Sequence, residues 1–571
     1  MNTTRPVITG RKGVIASGHY LATSAGLKMF AKGGNAIDAA IATGFALTVL
    51  KQHQSSLGGE CPILIYSPAT RKVTAISGQG AAPRKATIKW FRENGIDVIP
   101  GDGYLGATVP GVFGAYCAAL LNFGRLTLRE ILEPAIDLAQ NGFPMYRALR
   151  DMIVKHRYKI AGWPHTAGLV LPGGEAPAIG SIFRQPELAK TLLDISKVEE
   201  DHRYEGREKA IERAVEYFYK GEIACKIVDF VKNNPVKDGS GRYHTALLEP
   251  EDFACYHTRF EEPISADYRN YTVFKCNSWT QGPVFLQQLK LLEGFELGKM
   301  KHNSAEYIHT VIECAKLAFA DRERYYGDPD FSHIPMDMLL SDEYARERRK
   351  KINPGRANNE SLWEESVPER DNEVFAGDTT HLDIIDDEGY MISATPSGGW
   401  FHASPIIPGV GFALGTRAQM FNLKEGHPNC LQPCKRPRTT LTPSMAFKDG
   451  KPWMAFGTPG GDNQDQWTLQ FLLNVIEFGM DLQQAVDVPT FHTTHFEGSF
   501  YPHNRGDGTV FTEPGIEVEE LRKLQNLGHR IHLLPPHNNG EVCGVCINHE
   551  TGTIEGAASI KEEGNAYAMG W

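Results

Sequence analysis

The chain has 571 residues, 41% of them hydrophobic and 22% charged. That is ordinary globular composition and excludes a fibrous or intrinsically disordered chain. Lys plus Arg number 59 against 69 Asp plus Glu, a formal net charge of −10, so no electrostatic footprint for nucleic acid or an anionic membrane is present. At about 150 residues per domain, length alone favours three or four domains. The first residues carry interspersed charges without the apolar stretch of a secretory signal, and the longest apolar run, Ala39 to Leu50, is too short to span a bilayer. A cytoplasmic protein is expected. Ten cysteines at low density suit reduced thiols better than a disulfide framework.

In chain order, residues 22–50 predict two helices broken at Gly33-Gly34-Asn35, where a left-handed glycine can end the first. Pro62–Ser67 and Lys72–Ser77 flank a Pro-Ala-Thr-Arg turn and predict a hairpin. Residues 126–141, 183–195, 206–219 and 303–325 have helical spacing. Residues 354–378 are polar, acidic and without apolar periodicity, which predicts an exposed, mobile segment. Period two then takes over. Thr380–Asp386 pairs with Tyr390–Thr395, Ser444–Phe447 with Pro452–Phe456, and Glu541–Asn548 with Thr553–Ser559, each across a Gly-containing turn. A helix starts near Asp462 and repeats apolar residues at Trp467, Phe471, Leu472, Val475 and Ile476. Hairpins with long helices and no internal repeat predict antiparallel sheets covered by helices, an α+β layered body.

Four constellations carry chemistry. Asp378-Thr379-Thr380-His381 joins the acidic segment to a strand. A threonine at a chain's N-terminus can use its own α-amine as base, and a cut between Asp378 and Thr379 would supply that amine; alone, β-branched threonines fit a strand equally well. Gly457-Thr458-Pro459-Gly460-Gly461 runs into a helix and can present free backbone N–H groups as an oxyanion hole, or be an ordinary turn. Cys430-x3-Cys434 and Cys543-x2-Cys546 offer zinc or redox ligands, but the second pair lies in a strand and free thiols are the better reading. Arg417 with Lys435-Arg436-Pro437-Arg438-Thr439-Thr440 can hold a carboxylate, against the plainer alternative of a solvated surface or subunit contact.

Together these segments resemble the γ-glutamyltransferase family of N-terminal-nucleophile hydrolases. Gly33-Gly34-Asn35-Ala36-Ile37-Asp38-Ala39-Ala40 is similar to the family's N-terminal signature. Val109-Pro110-Gly111 with Asn141-Gly142-Phe143-Pro144 resembles its next block, and Lys316 to Arg322 with Gly327-Asp328-Pro329 its central block. Thr379-Thr380-His381 resembles the processing site, Lys435-Arg436-Pro437 the substrate loop, and Pro459-Gly460-Gly461 the oxyanion motif. The resemblance covers the chain nearly end to end. It implies a four-layer αββα fold and self-cleavage before Thr379, leaving residues 1–378 as a large chain and 379–571 as a small one in a single intertwined body. It further implies Thr379 as nucleophile, its amine as base, Ser397 as the second hydroxyl eighteen residues on, and Gly460 and Gly461 as oxyanion donors. A homodimer of the two-chain unit is one expected assembly.

Departures from the family pattern address the substrate. Gln79 stands where the family has the Arg that binds an α-carboxylate. Gly399 replaces an Asn, Arg417 and Met420 replace an amine-binding Gln and Asp, and Thr439-Thr440 replace two serines. Each charged contact is worth roughly 1.5–3 kcal/mol, so losing them disfavours an amino-acid substrate. A new Arg417 favours an anionic one, with Arg438 as second candidate. The region 427–458 is similar to the subgroup that includes oxamate amidohydrolases and glutathione-hydrolase-like proteins. The expectation is an amidohydrolase acting on a small carboxylate-bearing amide, with no metal or organic cofactor. The rivals are a γ-glutamyl hydrolase or transferase and an uncut binding or scaffold protein.

Overall fold

A computed structural model describes residues 3–360, 378–561 and 563–571. The expectation of an exposed segment at 354–378 concerns mainly 361–377, which lie outside the described residues. Two seven-stranded antiparallel sheets form the centre. One runs in the order Ile8–Gly10, Thr553–Ala558, Cys543–Asn548, Lys451–Gly457, Ser444–Lys448, Tyr271–Lys275, Ile264–Tyr268. The other runs Tyr567–Gly570, Gly13–Ser17, Leu382–Asp386, Met391–Ala394, Ile63–Ser67, Lys72–Ser77, Arg259–Glu261. Both sheets combine strands from before residue 378 with strands from after it. The two sheets draw their strands from residues 8–77, 259–275 and 382–570, so neither divides the chain into the three or four consecutive domains that length alone favoured.

Side-chain alternation explains the layering. Both faces of both sheets are covered, so the central strands are buried at nearly every position. Val14, Leu64, Ile385, Met391, Met445 and Val545 pack between the sheets. The outer face of the second sheet meets the helices Tyr20–Ala31, Ala36–Leu50 and Val112–Phe123. The first is covered by Gly282–Leu292, Ala305–Tyr325 and Gln464–Ile476. The result is the α+β layered body that the patterning predicted, in the form of the αββα sandwich that the resemblance implied.

The Gly33–Ala40 signature is structural. Gly33 has φ +84° and ends the first helix. Asn35 caps the next through a reciprocal box with Asp38, and Asp38 also accepts the backbone N–H groups of Arg125 and Leu126 at 2.9 and 3.0 Å. Ala36–Leu50 is apolar all round and buried all round, as such a pattern requires. Helices at Leu128–Asn141, Arg207–Lys220 and Ala305–Tyr325 match their expected spans, whereas the one expected at 183–195 begins at Pro186 and continues to Asp201. No helix among the described residues is long and apolar enough to cross a membrane. The cysteines are unpaired; Cys225, Cys255 and Cys434 are exposed and the other seven buried.

Candidate active site

Thr379 lies three residues before the central strand Leu382–Asp386, which pairs with Met391–Ala394 from Leu382 opposite Ala394. Continuing that antiparallel register, each step back along one strand meets one step forward along the other. His381 then meets Thr395, whose hydroxyl lies 3.0 Å from His381 Nδ1, and Thr379 meets Ser397 in a β-bridge. The eighteen-residue spacing is thus a hairpin register, and it sets Thr379 Oγ1 3.1 Å from Ser397 Oγ. On its other side Ser397 exchanges backbone hydrogen bonds with Glu60, at 2.8 and 2.9 Å.

Glycines permit this approach. A Cβ on Gly59 would sit 2.0 Å from the Ser397 carbonyl oxygen, and one on Gly399, at φ +70°, 2.0 Å from Ser56 Oγ. An Asn at position 399 has no room here. The two left-handed glycines, Gly398 and Gly399, swing Trp400 beneath the site. Its indole N–H donates to the carbonyls of Gln54 and Asp378, each at 2.8 Å. Asp378, the residue before the candidate nucleophile, also receives the Thr379 N–H on Oδ1 at 2.8 Å and the Gln54 side-chain amide on Oδ2 at 3.1 Å.

Arg417 reaches this cluster from a short 3₁₀ turn, Arg417–Met420. Its Nη2 donates to Ser397 Oγ at 2.8 Å and its Nε to Glu60 Oε1 at 2.5 Å. Nη1 lies 3.8 Å from the Met420 sulfur, while the guanidinium lies over the rings of Trp400 and Phe500. Burial raises the Glu60 carboxyl, opposed by Arg417. The charge on Arg417 is therefore offset by a buried carboxylate.

A second charged group adjoins Asp378. Lys51 pairs with Glu563 at 2.9 Å and Glu541 at 3.3 Å, and His53 with Glu563 at 2.6 Å. One lysine faces three carboxyls. Burial pushes Glu541 up to about 7 against the pull of Lys51, while Lys51 and His53 overcome burial to hold Glu563 well below the usual carboxylate range. Burial, with Glu563 alongside, raises Asp378 against His53 and Lys51.

The other family motifs assemble in pairs around this centre. Gly457 packs on the His381 ring, so the turn Gly457–Gly461 starts beside the Thr379 strand. Gly460 has φ +121° and a Cβ there would strike Trp467 at 2.1 Å. Arg322 fixes the end of that turn by pairing with Asp462, and Ser499 Oγ donates to the same carboxylate at 2.6 Å. Gly461 abuts Phe500, whose ring lies 6.4 Å from that of Trp400. Asp328 holds the Lys435-Arg436-Pro437 loop through Arg436 at 2.7 Å.

The basic segment is buried, which overturns the surface alternative raised for it: Lys435, Arg436 and Arg438 are each at most 4% exposed. Arg438 donates to both Glu323 oxygens, at 3.0 and 3.1 Å, and to the Arg322 carbonyl. Burial notwithstanding, Arg438 and Arg322 pull Glu323 down to about 2. Arg438 thus serves an internal ion pair. Thr439 hydrogen-bonds the backbone of Trp279 and Gln281, and Gln79 donates to the Gly80 carbonyl at 3.3 Å. The oxygens Gln79 Oε1, Thr440 Oγ1, Thr458 Oγ1 and Glu60 Oε2 are buried without a hydrogen-bond partner among the described residues. The structure brings Asp378, Thr379, Ser397 and Arg417 into one hydrogen-bonded cluster; the hydrogen bonds of Gln79, Thr439 and Arg438 go to other residues, and Thr440 does not join the cluster.

Sequence reasoning missed Trp400, Glu60 and the Lys51 cluster. The available signal was the polar run Lys51-Gln52-His53-Gln54-Ser55-Ser56 directly after an apolar helix; all six are buried. Among the described residues two groups bring potential metal ligands together, His53–Asp378–Glu563 and His309–Glu313–His529. In the second, Lys316 already neutralises Glu313 at 2.8 Å and His309 hydrogen-bonds His529 at 2.8 Å. The cysteine pairs join no such group among the described residues.

The sequence profile of the gamma-glutamyltranspeptidase family matches residues 22–569. The glutathione hydrolase-like YwrD proenzyme of Bacillus subtilis (strain 168) is 32% identical, over 98% of this chain and 99% of its own. Among solved structures, LmbA2991 superposes with a TM-score of 0.94 at 39% identity, covering 100% of both chains. The cephalosporin acylase from Bacillus halodurans superposes at 0.86 and 30% identity, covering 100% of this chain and 98% of its own.

Proposed function

The chain belongs to the gamma-glutamyltranspeptidase family of N-terminal-nucleophile hydrolases, and on that premise we propose that it is a self-processing amidohydrolase that cuts itself between Asp378 and Thr379 and hydrolyses the amide of a small carboxylate-bearing substrate. The observation that carries this is Arg417 Nη2 at 2.8 Å from Ser397 Oγ, itself 3.1 Å from Thr379 Oγ1. Once the chain is cut, the Thr379 amine acts as base for its own hydroxyl. The hydroxyl attacks the amide carbonyl, Gly460 and Gly461 receive the oxyanion, and water releases the acid from the acyl-enzyme. The end-on edge of Arg417 takes the substrate carboxylate, in the orientation that Glu60 fixes. The family's Arg for an α-carboxylate is Gln79 here, and Met420 cannot bind an α-amine. Self-processing is also in keeping with the relative named a proenzyme.

Intact mass under denaturing conditions tests the first step. Two fragments, the smaller beginning at Thr379, are expected, with Thr379→Ala remaining a single 63.3 kDa species. A wild-type chain that stays whole on long incubation would reject the nucleophile and favour a binding role. Turnover of small acid amides above γ-glutamyl anilides is expected next; the reverse order would favour a γ-glutamyl hydrolase or transferase.

A further inference from the structure

The scissile carbonyl in the uncut chain is that of Asp378, and its oxygen is held from two sides. The Trp400 indole N–H and the Ser397 hydroxyl each lie 2.8 Å from it. Proton placement follows from what each group can do. A guanidinium only donates and a carbonyl only accepts, so Ser397 accepts from Arg417 and gives its single proton to the Asp378 oxygen. The remaining contact, Thr379 Oγ1 to Ser397 Oγ, then has Thr379 as donor. The Thr379 lone pairs are left free, and the carbonyl beside them is polarised by two donors. Trp400 cannot move away readily: it is fully buried and stacked under the Arg417 guanidinium, 5.1 Å from its ring centre.

We propose that the Trp400 indole N–H and the Ser397 hydroxyl form a preassembled oxyanion hole for the Asp378 carbonyl, which makes Trp400 a catalytic residue of self-cleavage. This rests on the self-processing read above. In the step, Thr379 Oγ bonds to the Asp378 carbonyl carbon and the carbonyl π electrons move onto its oxygen. The Thr379 hydroxyl proton passes to Ser397 as Ser397 yields its own to that oxygen. The intermediate then collapses with rupture of the Asp378–Thr379 C–N bond, the oxygen's proton leaving with the departing nitrogen, which becomes the Thr379 amine. Water hydrolyses the resulting ester and leaves the Asp378 carboxyl and a free Thr379 hydroxyl. The indole N–H is shared with the Gln54 carbonyl in the resting chain, and it shifts to the Asp378 oxygen as partial negative charge grows there ahead of the Ser397 proton.

The test is the first-order rate of self-cleavage of freshly synthesised precursor, followed on denaturing gels. Trp400→Phe keeps a ring beneath Arg417 and removes the N–H; cleavage slower by about 10²-fold is expected, the lower end for loss of one oxyanion donor because this one is shared. Cleavage of Trp400→Phe at the parental rate would overturn the proposal and leave self-processing intact. A parent that never cuts would overturn both. Should the Phe variant misfold, benzothienylalanine at position 400, an isostere in which sulfur replaces the N–H, gives the same reading: slow cleavage supports the proposal and parental cleavage overturns it.

Discussion

Arg417 and Glu60 form an ion pair in which each residue is 1% exposed, and the consequence of breaking it follows from that burial. In an uncut Thr379→Ala background, Arg417→Met removes the cation and leaves Glu60 with an uncompensated charge inside the protein. Breaking one side of a buried pair costs about 3–5 kcal/mol. The carboxylate can escape by taking up a proton, at a cost of about 1.4 kcal/mol for each pH unit above its pKa. Without Arg417, the one group that lowers it, the folded-state pKa of Glu60 rises further above its unfolded value. Stability is then intact below the unfolded value near 4.3 and is lost as pH rises through the folded one. The full 3–5 kcal/mol should appear at pH 8, and about 1 kcal/mol or less of it at pH 5. Urea unfolding followed by tryptophan fluorescence at both pH values measures this. The double variant Glu60→Gln, Arg417→Met carries no buried charge and should recover most of the loss at pH 8. Equal losses at pH 5 and pH 8, or a double variant no more stable than the single one, would refute the account of a charge-compensating pair.

Two further outcomes follow from the same site. Gly399→Ala places a Cβ 2.0 Å from Ser56 Oγ at φ +70° and should destabilise the precursor by about 1–2 kcal/mol; an unchanged urea midpoint would show that the loop relaxes freely. Glu541 sits at about 7, raised above its unfolded value, so the native state holds a proton that the unfolded chain releases, and stability falls as pH rises from about 4.5 to 7. Glu541→Gln should abolish that fall, gaining on the parent by up to about 3 kcal/mol between pH 5 and pH 8; parallel pH profiles would disprove it.

Local pattern carried much of the fold. The hairpins at 63–77, 382–394, 444–457 and 543–558 were readable because alternation and turn glycines act over a few residues. The strands Ile264–Tyr268 and Tyr271–Lys275 were not read, since only one of their faces is well buried and the turn is a bare Arg-Asn pair. Thr379 and Ser397 were legible through motif likeness, and their contact follows from register. Glu60 and Trp400 were not, because their roles depend on backbones more than 300 positions apart meeting across glycines. Arg438 misled for a related reason: charge density along a sequence does not reveal that Glu323 waits beside it.

Both sheets draw strands from either side of residue 378, which bears on what the proposed cut would do to folding itself. Before it, collapse of the two sheets is a reaction of one molecule, and its equilibrium is independent of concentration. After the proposed cut the same sheets would require two chains to meet, so an unfolded two-chain protein would have to search for a partner at whatever dilution it found itself. A single bond broken inside an intact sandwich would thus exchange a fold whose equilibrium is independent of dilution for one sustained by the height of its unfolding barrier.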